Sequence, residues 1–209
     1  FKRLMLQNLA TRSPWRRETL EEVAAIAHLA GRLRERFPEA SWGLNLPSDD
    51  PAASMAIAAA TELEFVRLKV WIGVMHRAEG VLEGCAAEAM TMRHRLGSGV
   101  SIWADVHDRT GTPVWPLSFA DGVAEAVRAG ADAIVVTGKS PDETRRMAEG
   151  ARTAAPGTPL VVGGGGTPRT IPSFLAVADG VIVGTYLHEE GDENRPVDLQ
   201  RARAVVTAA

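Results

Sequence analysis

Residues 161–168 read VVGGGGTP: two β-branched apolar residues, four consecutive glycines, then Thr-Pro. Glycine loses more backbone freedom on folding than any other residue, so four in a row need a physical reason. A strand that runs into glycines and then a helix start offers one. Bare backbone lets N–H groups approach an anion, and the first turn of the helix adds partial positive charge. One segment later, residues 180–187, GVIVGTYL, run a second apolar strand into Gly184-Thr185. A Gly-rich turn after one strand and Gly-Thr after the next, in the last two strand positions, is the phosphate cradle of many sugar-phosphate (β/α)8 barrels. The predicted phosphate-binding residues are Gly164, Gly165, Gly166, Thr167, Gly184 and Thr185. Two alternatives compete. Tight turns with no ligand would also use these glycines. A dinucleotide site would need G-x-G-x-x-G, and GGGGTPRT lacks the third glycine.

Working outward, short apolar runs alternate with helical stretches along the chain. The strand candidates are residues 4–9, 41–47, 65–70, 101–107, 131–138, 159–165 and 179–187. Ser48-Asp49-Asp50-Pro51 and Ser140-Pro141-Asp142-Glu143 are helix starts with Pro in the first turn, and Thr167-Pro168 reads the same way. A last helix is expected over 198–208. Strand–helix alternation of this kind means a parallel sheet with helical crossovers. No Pro/Gly/Ser-rich linker divides the chain, so residues 1–209 read as one α/β domain. Seven strands fall one short of a (β/α)8 TIM barrel. The first candidate starts near residue 1 and there is no initial Met, so strand 1 and helix 1 are expected to be absent from this chain.

Side chains alternate between the two faces of a strand. In SIWADVH, Trp103, Asp105 and His107 share one face, while Ile102, Ala104 and Val106 share the other. The apolar set should face the helices and the mixed set the barrel interior. Arg67 and Lys69 occupy the same inner face of FVRLKV, as do Gly43 and Asn45 of SWGLNLP. Gln7 or Asn8 closes the first strand and Thr137 closes ADAIVVTG. Each could be a turn residue, or a buried charge such as Arg67 paired with Asp105. As a set they predict a polar pocket at the strand ends. The candidate catalytic residues are Asp105, His107, Lys69, Arg67, Asn45 and Asn8. Asp105 and His107 suit acid/base work, since an unperturbed His titrates near neutral pH. Arg67 and Lys69 suit stabilisation of negative charge, with a Schiff base on Lys69 also open. Residues 71–84 form a long loop that could cover the mouth. His28, His94 and His188 are weaker candidates. No spacing marks a dedicated metal site, although Asp105 and His107 could both reach one ion.

Composition limits the partners. The 209 residues are 45% hydrophobic and 5% aromatic, with formal net charge −3. That balance argues against a general nucleic-acid surface. The clusters Arg12/Arg16/Arg17 and Arg32/Arg34/Arg36 are interleaved with glutamates and read as solvated faces. Cys85, the single cysteine, reads as a small buried residue in a reducing compartment. No apolar run approaches the roughly 20 residues of a membrane helix and no signal peptide is visible, so a cytoplasmic location is expected. The alanine-rich stretches 51–62 and 84–92 pack on the barrel or, alternatively, support a homo-oligomer.

In their order and spacing, several stretches together resemble the BtpA family, a group of (β/α)8 barrels of the ribulose-phosphate-binding type. They are LMLQNL, GLNLPSDDPAASMAIAAATELEFVRLKV, EGVLEGCAAE, ADVH, ADAIVVTG, VVGGGGTP and ADGVIVGTYLHEEGDENRPVD. The chain departs from the family pattern at Gln7-Asn8, where Glu-Asn is usual. It departs again at Lys69, where Asn is usual, and in DRTG after ADVH, where a second His is common. The resemblance implies a barrel fold and, from the family name, a role in photosystem I accumulation. The expected function is an enzyme of a phosphorylated small metabolite, a sugar phosphate or nucleotide-like compound, with no cofactor. Lyase, isomerase and glycosyl-transfer chemistry all remain open. The alternative is a non-catalytic assembly or stability factor for a larger complex.

Overall fold

A computed structural model describes residues 1, 3–8, 17–46, 49–77, 80–107, 110–114 and 117–209, with only the main chain of His107. In chain order the elements begin with β1 (Arg3–Gln7), α1 (Leu20–Arg36), β2 (Ser41–Asn45), α2 (Pro51–Ala60), β3 (Phe65–Leu68), β4 (Val74–Arg77) and β5 (Gly80–Glu83). They continue with α3 (Ala86–Arg95), β6 (Ser101–His107), β7 (Thr112–Pro113), α4 (Phe119–Arg128), β8 (Ala133–Val136) and α5 (Pro141–Ala154). The last are β9 (Leu160–Val162), α6 (Ile171–Leu175), β10 (Gly180–Val181) and α7 (Leu199–Ala208).

Seven strands form one parallel sheet in the order β1-β2-β3-β6-β8-β9-β10, which is also their order in sequence. Right-handed crossovers that always step the same way put every helix on one face of the sheet, and the other face becomes an interior. The sheet curls around that interior. Arg3 on β1 lies over the ring of Trp103 on β6 at 5.9 Å, although three strand spacings on a flat sheet would be about 14 Å. The alternation expected from sequence holds. Leu44, Val66, Leu68, Ile102, Ala104, Ile134, Val136, Leu160 and Val162 join the helices in the main core. On the inner face Phe65 stacks on Trp103 with centroids 4.0 Å apart. Gly43 makes room for them, since a Cβ there would sit 2.2 Å from the Phe65 ring.

The helix starts at Asp50-Pro51 and Ser140-Pro141 form as expected. Asp50 caps α2 through Ala53 N–H, and Ser140 caps α5 through Glu143 N–H. Three expectations are corrected. The helix after the glycines begins at Ile171, not at Thr167-Pro168, because Thr167 and Thr170 first close a turn on each other's amides. The last strand spans only Gly180–Val181, and residues 185–187 coil as a 3-10 turn. The stretch 71–84 is not an irregular loop. It contains the hairpin β4–β5, which pairs with β7 in a separate antiparallel sheet, β5-β4-β7. Ala53, Met55, Ile57 and Ala58 of α2 are buried, so that alanine-rich face is used by the barrel itself. Arg12 and Arg16 lie outside the described residues. Arg17, Arg34 and Arg93 pair with Glu88, Glu62 and Asp132.

Candidate functional site

The C-terminal ends of β2, β3 and β6 bring charged groups together on the inner face. Asn45 is fully buried at the end of β2, and its Nδ2 donates to the Arg67 carbonyl at 3.1 Å. Arg67 on β3 donates Nε and Nη2 to the two carboxylate oxygens of Asp105 on β6, both at 2.8 Å. This bidentate pair is buried on both sides. Burial pushes the Arg67 guanidinium towards losing its proton, but Asp105 outweighs that and holds it above its ordinary value. The carboxylate of Asp105 is therefore committed to orienting Arg67. Period-2 spacing gave this pair, because Arg67 and Asp105 share the inner face of neighbouring strands.

A second pair lies beside the first, and sequence reasoning did not assign it to the site. Asp49, in the β2–α2 connection, adopts φ +54 and turns its carboxylate inward. Its Oδ1 accepts from the Lys69 amide at 2.8 Å and its Oδ2 from Arg77 Nη1 of β4 at 3.1 Å. Burial pushes the Asp49 carboxyl above its ordinary range, and Arg77 only partly opposes this. The signal was present in SDDP, but two adjacent aspartates before a Pro read as a helix start. Arg77 was hidden in the stretch taken as a covering loop.

Lys69 follows β3 and is half-buried. Burial lowers its pKa, Asp49 opposes that, and Arg67 and Arg77 add to it. Its Nζ makes no hydrogen bond or ion pair among the described residues. Thr137, after β8, is buried, and among the described residues neither its hydroxyl nor the Asn45 Oδ1 has a hydrogen-bond partner. His107 ends β6 after a register shift between Asp105 and His107. That bulge interrupts the alternation that had grouped the two, and the His107 side chain lies outside the described residues. Asn8 sits just past β1, half-buried, 3.5 Å from a Glu18 oxygen. His28, His76 and His94 are exposed. His188 contacts the Arg195 carbonyl at 2.6 Å through Nδ1. Burial pushes the Cys85 thiol up to about 12, so it is inert.

The glycines serve two different purposes. Gly163 and Gly166 are required by the protein's own packing. A Cβ at Gly163 would meet Thr137 Oγ1 at 2.3 Å and Arg67 Nη2 at 2.8 Å, and one at Gly166 would meet Val183 and Val181 below 3.0 Å. Gly165 has φ +74, and a Cβ on it or on Gly184 meets nothing within 4 Å. Within the described residues the amides of Gly164, Gly165, Gly166, Gly184 and Thr185 donate to no protein acceptor. The Thr167 amide is already engaged by Thr170 Oγ1 at 2.9 Å. No group of three or more His, Cys, Asp or Glu among the described residues is placed to hold a metal. No helix among them is long and apolar enough to cross a membrane. A shallow depression lined by Glu149, Arg152, Leu175 and Asp179 lies at the opposite end of the strands.

The fold is that of (β/α)8 barrels. Over 99% of the chain it superposes on 3-hexulose-6-phosphate synthase, covering 86% of that chain, with TM-score 0.61 and 13% identity. It superposes over the same share on thiamine phosphate pyrophosphorylase from Pyrococcus furiosus, covering 84% of that chain, with TM-score 0.60 and 15% identity. The BtpA family model matches residues 1–209, and the chain belongs to the BtpA family. An uncharacterized protein of Pyrococcus abyssi is 37% identical over 90% of this chain and 71% of its own length. The photosystem I biogenesis protein BtpA of Synechocystis is 32% identical over 89% of this chain and 66% of its own length.

Proposed function

We propose that the protein is an enzyme of a small phosphorylated metabolite, with the phosphate held between the loops 163–167 and 184–185. The observation that carries this reading is the set of unengaged amides at Gly164, Gly165, Gly166, Gly184 and Thr185, with open space beside Gly165 and Gly184. Neither loop contains Lys or Arg, and Arg169 just beyond is exposed, so main-chain N–H groups would be the donors. The reacting carbons would then lie over Arg67, Asp105 and Lys69. Arg67, fixed by Asp105, is suited to stabilising charge that develops on a substrate oxygen. The side chains of His107, Asn45 and Asn8 complete the proposed set, with His107 as acid/base. The neighbours in structure, named for hexulose phosphate and thiamine phosphate, support the substrate class.

Calorimetric titration with ribose 5-phosphate and with inorganic phosphate tests the cradle. Gly184→Val should abolish binding while the protein stays folded, because the added side chain fills space that no protein atom occupies. Arg169→Ala should change affinity little. The loss should be several kcal/mol, since charge-assisted hydrogen bonds contribute about 1.5–3 kcal/mol each. Unchanged binding by the folded Gly184→Val protein would mean that the glycines serve only the turns. The name of the Synechocystis relative favours a second reading, a non-catalytic factor in assembly of a larger complex. Under that reading the bound sugar phosphate is recovered chemically unchanged.

A further inference from the structure

The inner face holds three described cations and two described carboxylates. Asp105 is taken by Arg67 and Asp49 by Arg77. Among the described residues Lys69 is left as a cation-forming group with no acceptor on its Nζ, just past the end of β3 and close enough to Asp49, Arg67 and Arg77 to feel their charges. Its main chain is fixed, since the Lys69 amide donates to Asp49 Oδ1 at 2.8 Å. A lysine needed only for charge balance would sit against a carboxylate. One with no acceptor among the described residues, near two guanidinium groups as well as Asp49, has the setting of a reactive amine.

We infer that Lys69 is a nucleophile that forms an imine with a carbonyl carbon of the substrate, so the substrate class is a phosphorylated aldehyde or ketone. The inference rests on the phosphate reading above for the position of that carbonyl. The Nζ lone pair adds to the carbonyl carbon and an N–H proton passes to the oxygen, giving a carbinolamine. Protonation of its hydroxyl and loss of water leave the protonated imine. The net change is amine plus carbonyl plus one proton to iminium plus water, with no oxidant or reductant. The charged groups around Lys69 are Asp49, Arg67, Arg77 and Asp105. Burial, the largest influence, favours the neutral amine that this step requires, and the two arginines add to it against the opposing carboxylates of Asp49 and Asp105.

The chain has only three lysines, Lys2, Lys69 and Lys139, so the test is direct. The protein is incubated at neutral pH with glyceraldehyde 3-phosphate or dihydroxyacetone phosphate, then reduced with borohydride and mapped by mass spectrometry. Hydride delivered to the imine carbon leaves a stable secondary amine on the modified lysine. Lys69 should be labelled about tenfold or more over the exposed Lys139, because the bound phosphate would hold the carbonyl beside it. Labelling at Lys139 equal to that at Lys69 overturns the inference. Lys69→Arg, which keeps the charge, should bind phosphate normally and lose the label. Unphosphorylated glyceraldehyde separates the two readings. If it labels Lys69 as fast as the phosphate ester does, and Gly184→Val slows neither, the amine is a nucleophile and the cradle is wrong. If phosphate binds by calorimetry and Lys69 is never preferred, the cradle stands and the imine does not.

Discussion

Arg67 and Asp105 are the residues on which the site is built, and their pairing fixes what a substitution does. Asp105→Ala leaves a guanidinium buried without a partner and should cost about 3–5 kcal/mol in chemical denaturation. Arg67→Met combined with Asp105→Leu should recover most of that stability, because it removes both charges and keeps the volume. Stability that stays low in the double variant would show that the cost lies in packing and not in the orphaned charge. Gly163→Ala is a second probe at this scale. Its Cβ would press on Thr137 Oγ1 and Arg67 Nη2, at a cost of about 1–3 kcal/mol by overpacking. Gly165 and Gly184 border open space and differ from Gly163 in this respect. Sequence alone could not separate them, since a glycine reports that a side chain is excluded without saying by what. Arg67, Lys69, Asp105 and Asn45 were legible through strand alternation. Asp49 was not, because its inward turn depends on a left-handed backbone that a cap-like SDDP does not announce.

Among the elements, the antiparallel sheet β5-β4-β7 is the part the sequence concealed. Its strands are short, and although burial alternates along VMHR and GVLE, apolar and polar residues do not, since Arg77 shares the buried face with Met75. It is tied to the barrel by a few specific contacts. Arg77 pairs with Asp49, and the fully buried Trp71, just before β4, donates Nε1 to the Ala126 carbonyl of α4 at 3.0 Å. Arg77→Ala should raise amide hydrogen exchange across residues 74–77 and 80–83 while β3 and β6 keep their protection. Uniform loss of protection would mean that the hairpin and barrel open as one unit. The major helices and strands were legible because capping residues and apolar runs are local signals. The start of α6 was not, since Thr167-Pro168 and Thr170-Ile171-Pro172 carry competing start signals. A mutual Thr167–Thr170 turn decides between them.

At the scale of the molecule, seven parallel strands in sequential order were readable from the alternation of strand and helix. The distance at which they meet was not. Gly163 touches Arg67 across the interior, three strands away, and no local pattern encodes that contact. The contact has a consequence for the way the chain is made. During synthesis β3 and β6 leave the ribosome well before the glycine loop, so Arg67 and Asp105 can meet while the wall opposite them does not yet exist. Until Thr137 and Gly163 arrive, the side of Arg67 that they cover should be open to water. Burial of the site is thus expected late in vectorial folding, after β9 has joined the sheet. A nascent chain stalled before residue 160 should expose the ion pair to solvent even with its first strands already paired.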